Sequence, residues 1–468
     1  MRVVLIFARG PAFGAIVGTG ATNARGRHGL PDKFPPRGLQ VPTGRVSRLA
    51  RLVTLASDVA GGMMLDGARQ FAAGKRPGLG DLLLTPANAF KVMHRLAHLR
   101  GAAMKVGQLL SMDAGEVLPR ELADILGRLR SEAQPMPRSQ LRATLERQWG
   151  RDWERQFRSF SFEPIAAASI GQVHRAQTTD GRELAIKIQY PGVRGSIDSD
   201  VDNVSSLLRI SGLLPKGLDL SPLLRQAKQQ LHEEADYERE SGNLSRFATL
   251  LAGCPDYALP EVYPDLTRKT VLAMSYVEGA SLDSLEAAPQ ALRDRIVTLL
   301  ISLVLRELFE FGLMQTDPNF ANYRYDIATQ RLVLLDFGAV REFTPALTQD
   351  YRSLLRAGVA GDLASARRAA LALGLFSGSI PRARQDAVMA LFDMAMQPLR
   401  YDGLFDFGTT DLAARLRDGG MDMALQRDNW HVPPVDTLYL QRKIGGMFLL
   451  ASRLRARDNI RAMLEKYL

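Results

Sequence analysis

Apolar positions along the chain change their period several times, and each change predicts a different kind of element. From "VPTGRVSRLARL" at residue 41 to "LGRLRSEAQPMP" at 137, apolar residues recur at helical spacing, so the pattern predicts an all-helical section that stops at Pro135 and Pro137. "SFEPIAAASIGQVHRAQTTDGRELAIKIQYPG" then turns to short β-type runs. Within it "GQVHRAQ" and "LAIKIQY" flank the turn signal Asp180-Gly181, which predicts a hairpin. Helical spacing returns in "SIDSDVDNVSSLLRISGLL" and "SPLLRQAKQQLHEEADYERESGNLSRFATLL". "KTVLAMSYVEGASL" reads as a strand that passes into a linker at Glu278-Gly279, and "ALRDRIVTLLISLVLRELFEFG" as a long amphipathic helix closed by Gly312. Beyond residue 340 the pattern is almost wholly helical. Residues 1–44, rich in Gly, Pro, Ala and Arg without an apolar period, predict a disordered or leader segment.

These readings divide the chain into residues 1–44, a helical extension over 45–140, a small β-containing lobe over 141–278 and a larger helical lobe over 279–468. With 468 residues there is room for two packed lobes. No run reaches the roughly 18 apolar residues that cross a bilayer. "VVLIFA" is cut off by Arg9 and Pro11, too short for a signal-peptide core. A single cysteine, Cys254, excludes an internal disulfide and a cysteine-cluster metal site; it points to a reducing compartment, and no structural zinc is expected. The net charge of +10 favours an anionic partner such as a nucleotide or an anionic lipid surface. Its cations are dispersed, with no basic run interleaved with aromatics, so nucleic acid is not expected.

Candidate chemistry concentrates in "MQTDPNFANYRYDIATQRLVLLDFGA". Phosphoryl transfer needs a cover over the phosphates, a strand lysine that holds them, and groups that hold magnesium. Here Asp317 is followed five residues later by Asn322, and Asp336 opens an Asp-Phe-Gly after an apolar strand, where an ionised carboxylate is costly without a cation or hydrogen bonds. Lys187 lies in "LAIKIQYP", in order upstream. Taken singly each is common; the ordered set predicts an α+β, two-lobed protein-kinase-like fold that binds ATP and Mg2+, with Asp317 as the catalytic aspartate and Asn322 and Asp336 as metal ligands. Two departures stand out. Gln315 and Thr316 occupy the places of His and Arg before the aspartate, and no Ala-Pro-Glu follows the Asp-Phe-Gly. The cover position reads Ala166, Ala167, Ala168 and Ser169 in place of a glycine-rich loop; alanine resists positive φ, so a stiffer loop is expected. Adenine recognition is expected from the linker at Met274, Tyr276, Val277 and Glu278, by position alone.

"AAMKVGQLLSM", "AAAS", "EEADYERE", "MQTDPNFAN" and "LLDFGA", in that order, resemble the UbiB-type atypical kinase-like family (ABC1/ADCK/UbiB), nearest to its mitochondrial coenzyme Q branch and bacterial relatives; the C-terminal "LYLQRKIGGMFLLASRLRARDNIRAMLEKY" is similar to that branch as well. The resemblance covers about residues 45–465. It implies that Lys105 and Gln108 lie on a helix folded over the active site where a protein substrate would enter, that Glu234 and Asp236 face that lysine, and that Glu240 pairs with Lys187. It further implies ATP hydrolysis in support of ubiquinone biosynthesis, with prenylated quinone intermediates, biosynthetic enzymes and an anionic membrane as partners. The place would be the cytoplasmic side of the inner membrane in a bacterium, or the matrix side in a mitochondrion. A protein or small-molecule kinase and a nucleotide-binding scaffold without turnover remain as alternatives, and a homodimer is left open.

Overall fold

The computed structural model describes residues 135–168, 170–210, 221–425 and 433–468. The expected leader, nearly all of the helical extension, Lys105, Gln108 and Ser169 lie outside them. The described chain opens with α1 (Arg138–Trp149), to which the sequence pattern assigned no element; only Leu141, Thr144 and Leu145 are buried along it, too narrow a stripe to stand out. Its last residue, Trp149, donates its indole N–H to the Leu266 carbonyl at 2.8 Å, and its ring lies 6.0 Å from Trp153 and 5.2 Å from Phe157.

The first lobe is an antiparallel sheet built from β1 (Phe157–Ala168), β2 (Gly171–Thr178) and β3 (Glu183–Gln189). β2 and β3 form the expected hairpin through Asp180-Gly181, where Gly181 takes φ +94°. The chain continues through α2 (Val193–Ile210), α3 (Ser221–Glu234) and α4 (Tyr237–Leu251). The single helical pattern over 221–251 is thus two helices. Asp236 breaks it by leaving helical geometry and accepting the Arg239 amide as the N-cap of α4, a competition short acidic side chains commonly win. After β4 (Tyr257–Ala258), β5 (Val271–Ser275) completes the sheet in the order β1-β2-β3-β5.

Past Gly279 the chain enters the second lobe, where β6 (Ala280–Ser281) is followed by α5 (Gln290–Arg306). A π-helical turn, Glu307–Phe311, extends α5 until Gly312 at φ +60° ends it, in keeping with the expected glycine stop. Four short strands then carry the site: β7 (Leu313–Gln315), β8 (Tyr323–Asp326), β9 (Arg331–Leu334) and β10 (Val340–Glu342). β8 and β9 sit in a sheet of order β4-β9-β8-β6, while β7 pairs antiparallel with β10. The rest is α6 (Pro345–Ala360), α7 (Leu363–Ala372), α8 (Arg382–Ala395), α9 (Gln397–Arg400), β11 (Phe405–Asp406), α10 (Leu412–Leu425), α11 (Val435–Arg453), β12 (Arg457–Asp458) and α12 (Ile460–Glu465). α11 buries Tyr439, Leu440, Met447, Leu450 and Ala451 and packs against α5. One apolar core runs through the sheet, α5 and α11.

Candidate active site

β3 is covered on both faces, so Lys187, paired between Val173 and Leu272, is buried rather than solvent-facing. Its ammonium meets both Glu240 oxygens at 2.8 and 3.0 Å and Asp336 Oδ2 at 3.0 Å. The Tyr237 ring lies 5.3 Å from the same nitrogen. Burial opposes the lysine charge, yet Asp336 and Glu240 together hold its pKa well above the usual lysine value. Burial also pushes Glu240 up to about 7, with Lys187 acting against it.

One face of α4 holds the Asp-Phe-Gly segment. Glu240 reaches it through Lys187; Asn243, three residues on, donates to the Phe337 carbonyl at 3.0 Å; Phe247, one further turn on, packs 4.9 Å from the Phe337 ring. Arg239 donates to the carbonyls of Gly338 and Val340 at 3.3 and 3.1 Å. The Gly338 amide donates to Asp336 Oδ1 at 3.0 Å. A lysine and its helix glutamate are therefore tied to the aspartate of Asp-Phe-Gly, and the lysine–glutamate pair is one of the contacts that phosphoryl transfer in a kinase requires.

Strand pairing brings the other motif to the same place. β7 and β10 pair Gln315 with Val340, and the next residue, Thr316, donates both its amide, at 2.8 Å, and its hydroxyl, at 3.1 Å, to the Ala339 carbonyl. β8 and β9 pair Tyr323 with Leu334, and the Leu335 amide donates to the Asn322 carbonyl at 3.0 Å, which sets Asn322 opposite the residue before Asp336. The Asn322 side-chain amide donates to the Asp317 carbonyl at 3.3 Å, closing the loop on itself. Asp336 and Asn322 offer oxygen ligands suited to magnesium. Among the described residues no group of three or more His, Cys, Asp or Glu could hold a metal, so an ion here would draw most of its shell from phosphate and water, as magnesium does. One histidine pair, His94 and His98, has the four-residue spacing of a helical metal site and lies outside the described residues.

α11 contributes residues to which the sequence reading gave no role. Arg442 Nη2 lies 3.3 Å from Asp317 Oδ1. Lys443 donates to Gln315 Oε1 at 2.8 Å and to the Tyr323 hydroxyl at 2.7 Å, with Glu307 at 3.7 Å. Gln315 passes the contact on, its side-chain amide donating to the Asp317 carbonyl at 2.9 Å. At Gly446 a Cβ would come 2.3 Å from the Pro318 side chain, so only glycine lets the helix seat against the loop. The signal was a basic pair inside an apolar helical run, "YLQRKIGGMFLL", but its target is 125 residues upstream.

The remaining expected residues fall as follows. Ala166, Ala167 and Ala168 are not a loop: they extend β1, facing Val173, Gln172 and Gly171, and none takes positive φ. The Cβ of alanine resists the positive φ of a glycine-type loop, and the three residues stay paired to β2 up to Gly171. Met274 lies in the sheet opposite Ala185; the Tyr276 amide donates to the Glu183 carbonyl at 2.9 Å and its ring lies beneath Arg175; Val277 and Glu278 follow as the half-buried and exposed part of the linker. Glu234 is buried beside Gly338, and Asp236 caps α4 with Arg194 at 3.4 Å. Glu233, in the same acidic run, bridges Arg239 and Arg341 at 3.5 and 3.3 Å.

Residues 128–370 match the ABC1 atypical kinase-like domain. The chain is 36% identical over 439 residues to the mitochondrial atypical kinase COQ8 of Saccharomyces cerevisiae, covering 93% of this chain and 87% of that protein. It is 38% identical over 420 residues to the mitochondrial atypical kinase COQ8B of Rattus norvegicus, covering 89% and 79%. The solved complex of Rv3197 with erythromycin from Mycobacterium tuberculosis superimposes with a TM-score of 0.56 at 26% identity, over 82% of this chain and 96% of that one. No described helix is long and apolar enough to cross a membrane. A lysine–glutamate pair tied to Asp-Phe-Gly, a catalytic loop built on Gln-Thr-Asp and matches of this length have one reading: the chain is a kinase-like enzyme and belongs to the ABC1, or UbiB-type, atypical kinase-like family, on the branch of the COQ8 proteins.

Proposed function

We propose that the chain is a magnesium-dependent ATPase that supports ubiquinone biosynthesis at a membrane surface. Lys187 contacts the α and β phosphates, Asp336 and Asn322 hold magnesium, and Asp317 orients the water that attacks the γ-phosphorus as the bond to the β-phosphate oxygen breaks and ADP leaves. Bound magnesium supplies charge neutralisation on the phosphates. The single observation that carries this reading is the buried Lys187 bridging Glu240 and Asp336, an ion-pair cluster that joins the two lobes. Hydrolysis would help prenylated quinone intermediates in the membrane reach the enzymes that modify them. The net charge of +10 supports the anionic surface, cytoplasmic or matrix-facing according to source.

Phosphate release from Mg-ATP, measured with and without anionic liposomes beside Asp336→Asn, tests the proposal. Turnover that rises with liposomes and vanishes in the variant is expected. Full metal-dependent turnover in Asp336→Asn would sink the site assignment, and nucleotide binding without turnover in any condition would favour a scaffold. Stoichiometric phosphate transfer to an added acceptor would favour a kinase proper.

A further inference from the structure

We infer that Arg442 is a positioning residue of the phosphoryl-transfer centre, a cation that α11 supplies to fix the Asp317 carboxylate because the catalytic loop carries none of its own. Gln315 and Thr316 precede the aspartate, and Pro318, Asn319, Phe320 and Ala321 lie between it and Asn322, so the loop from 315 to 322 holds no Lys or Arg. The inference rests on the phosphoryl-transfer reading of this site.

Three observations carry it. The pair is enclosed, with the Arg442 side chain 2% and the Asp317 side chain 13% exposed, so its field is little screened by water. Arg442 is a poor choice for stability alone: its Nε and Nη1 are buried and make no hydrogen bond among the described residues, an arrangement that costs the fold and so calls for another explanation. Finally, the guanidinium cannot drift. Lys443 beside it is held by Gln315, Tyr323 and Glu307, and one turn on Gly446 touches Pro318, so helix and loop meet on both sides of the Arg442 contact. The charged and titratable groups around Asp317 include Arg442 and Lys443 from α11 and Tyr323 from β8, while the amides of Gln315 and Asn322 hold its carbonyl. Lys187 and Asp336 can bind nucleotide without α11; the ion pair on the Asp317 carboxylate at 3.3 Å comes from it.

The test compares wild type, Arg442→Gln, Arg442→Lys and Gly446→Ala for Mg-ATP turnover, for nucleotide Kd and for hydrogen exchange over residues 316–323 without nucleotide. Misplacement of a reacting group by about 1 Å costs up to roughly a hundredfold in rate, so kcat in Arg442→Gln is expected to fall at least tenfold with Kd within about twofold of wild type. Arg442→Lys recovers part of the loss. Gly446→Ala retains every charge and gives the same split by pushing the helix off Pro318; it decides the matter if Arg442→Gln fails to fold. Faster exchange over 316–323 with α4 unchanged supports the inference even if the wild type hydrolyses nothing, an outcome that would end the ATPase reading alone. Unchanged exchange, or equal losses in kcat and nucleotide affinity, would overturn it.

Discussion

Two lysines are buried among the described residues, and their surroundings differ in a way that bears on chemistry. Lys187 faces two carboxylates, Glu240 and Asp336, and the surplus negative charge suits a site that receives a metal cation. Lys443 faces one carboxylate, Glu307, and the neutral oxygens of Gln315 and Tyr323. Glu307 is wholly buried and accepts the Gln315 amide at 3.1 Å. Burial pushes its pKa from the ordinary 4.5 up to about 7, with Lys443 opposing. A carboxyl that holds its proton more tightly when folded adds stability that is complete below 4.5 and lost as pH climbs through 7. The contribution is on the order of 3 kcal/mol at most. Thermal unfolding from pH 5 to 8 should therefore show the wild type losing stability with rising pH relative to Glu307→Gln. Parallel curves for the two proteins would mean that Glu307 is charged throughout.

At the scale of elements, the β1–β2 hairpin leaves no room for a side chain at Gly171. A Cβ at Gly171 would meet the Ile188 carbonyl at 2.3 Å and the Tyr237 hydroxyl at 3.0 Å, so the hairpin tip lies directly on β3 and α4. Gly171→Ala is expected to cost about 1–3 kcal/mol through overpacking and to weaken nucleotide binding by lifting the tip. Calorimetry of unfolding and of nucleotide binding measures both, and a variant unchanged in each would show that the tip tolerates displacement. The hairpin was legible because period-two spacing and Asp180-Gly181 are local signals. So were the strand before Asp-Phe-Gly and the helix stop at Gly312. The alanine run by itself reads as a loop because the partner strand that turns it into sheet does not appear in the run. α1 escaped notice because its stability comes from Trp149 reaching Leu266, far along the chain. Arg442 and Gly446 likewise act on a loop that only folding brings near, so their residue types were visible and their roles were not.

For the molecule as a whole, the candidate site is divided between lobes: Lys187 and Glu240 belong to the first, Asp317, Asn322 and Asp336 to the second. A ligand that grips both is a cross-brace. Mg-ATP at a hundred times its Kd should stabilise the fold by about 2.7 kcal/mol, seen as a rise of a few degrees in Tm. Lys187→Met should abolish that rise, and a variant that still shows it would place the nucleotide elsewhere.

The seating of α11 against the catalytic loop also has a consequence in time. During synthesis every motif from Lys187 to Asp-Phe-Gly has been made by Gly338, yet the helix that bears Arg442, Lys443 and Gly446 begins only at Val435. A nascent or prematurely stopped chain ending between these points carries a complete set of signature residues around an aspartate that lacks the Arg442 ion pair. Competence in this enzyme arrives with its last elements, and a count of motifs in a truncated product would not measure it.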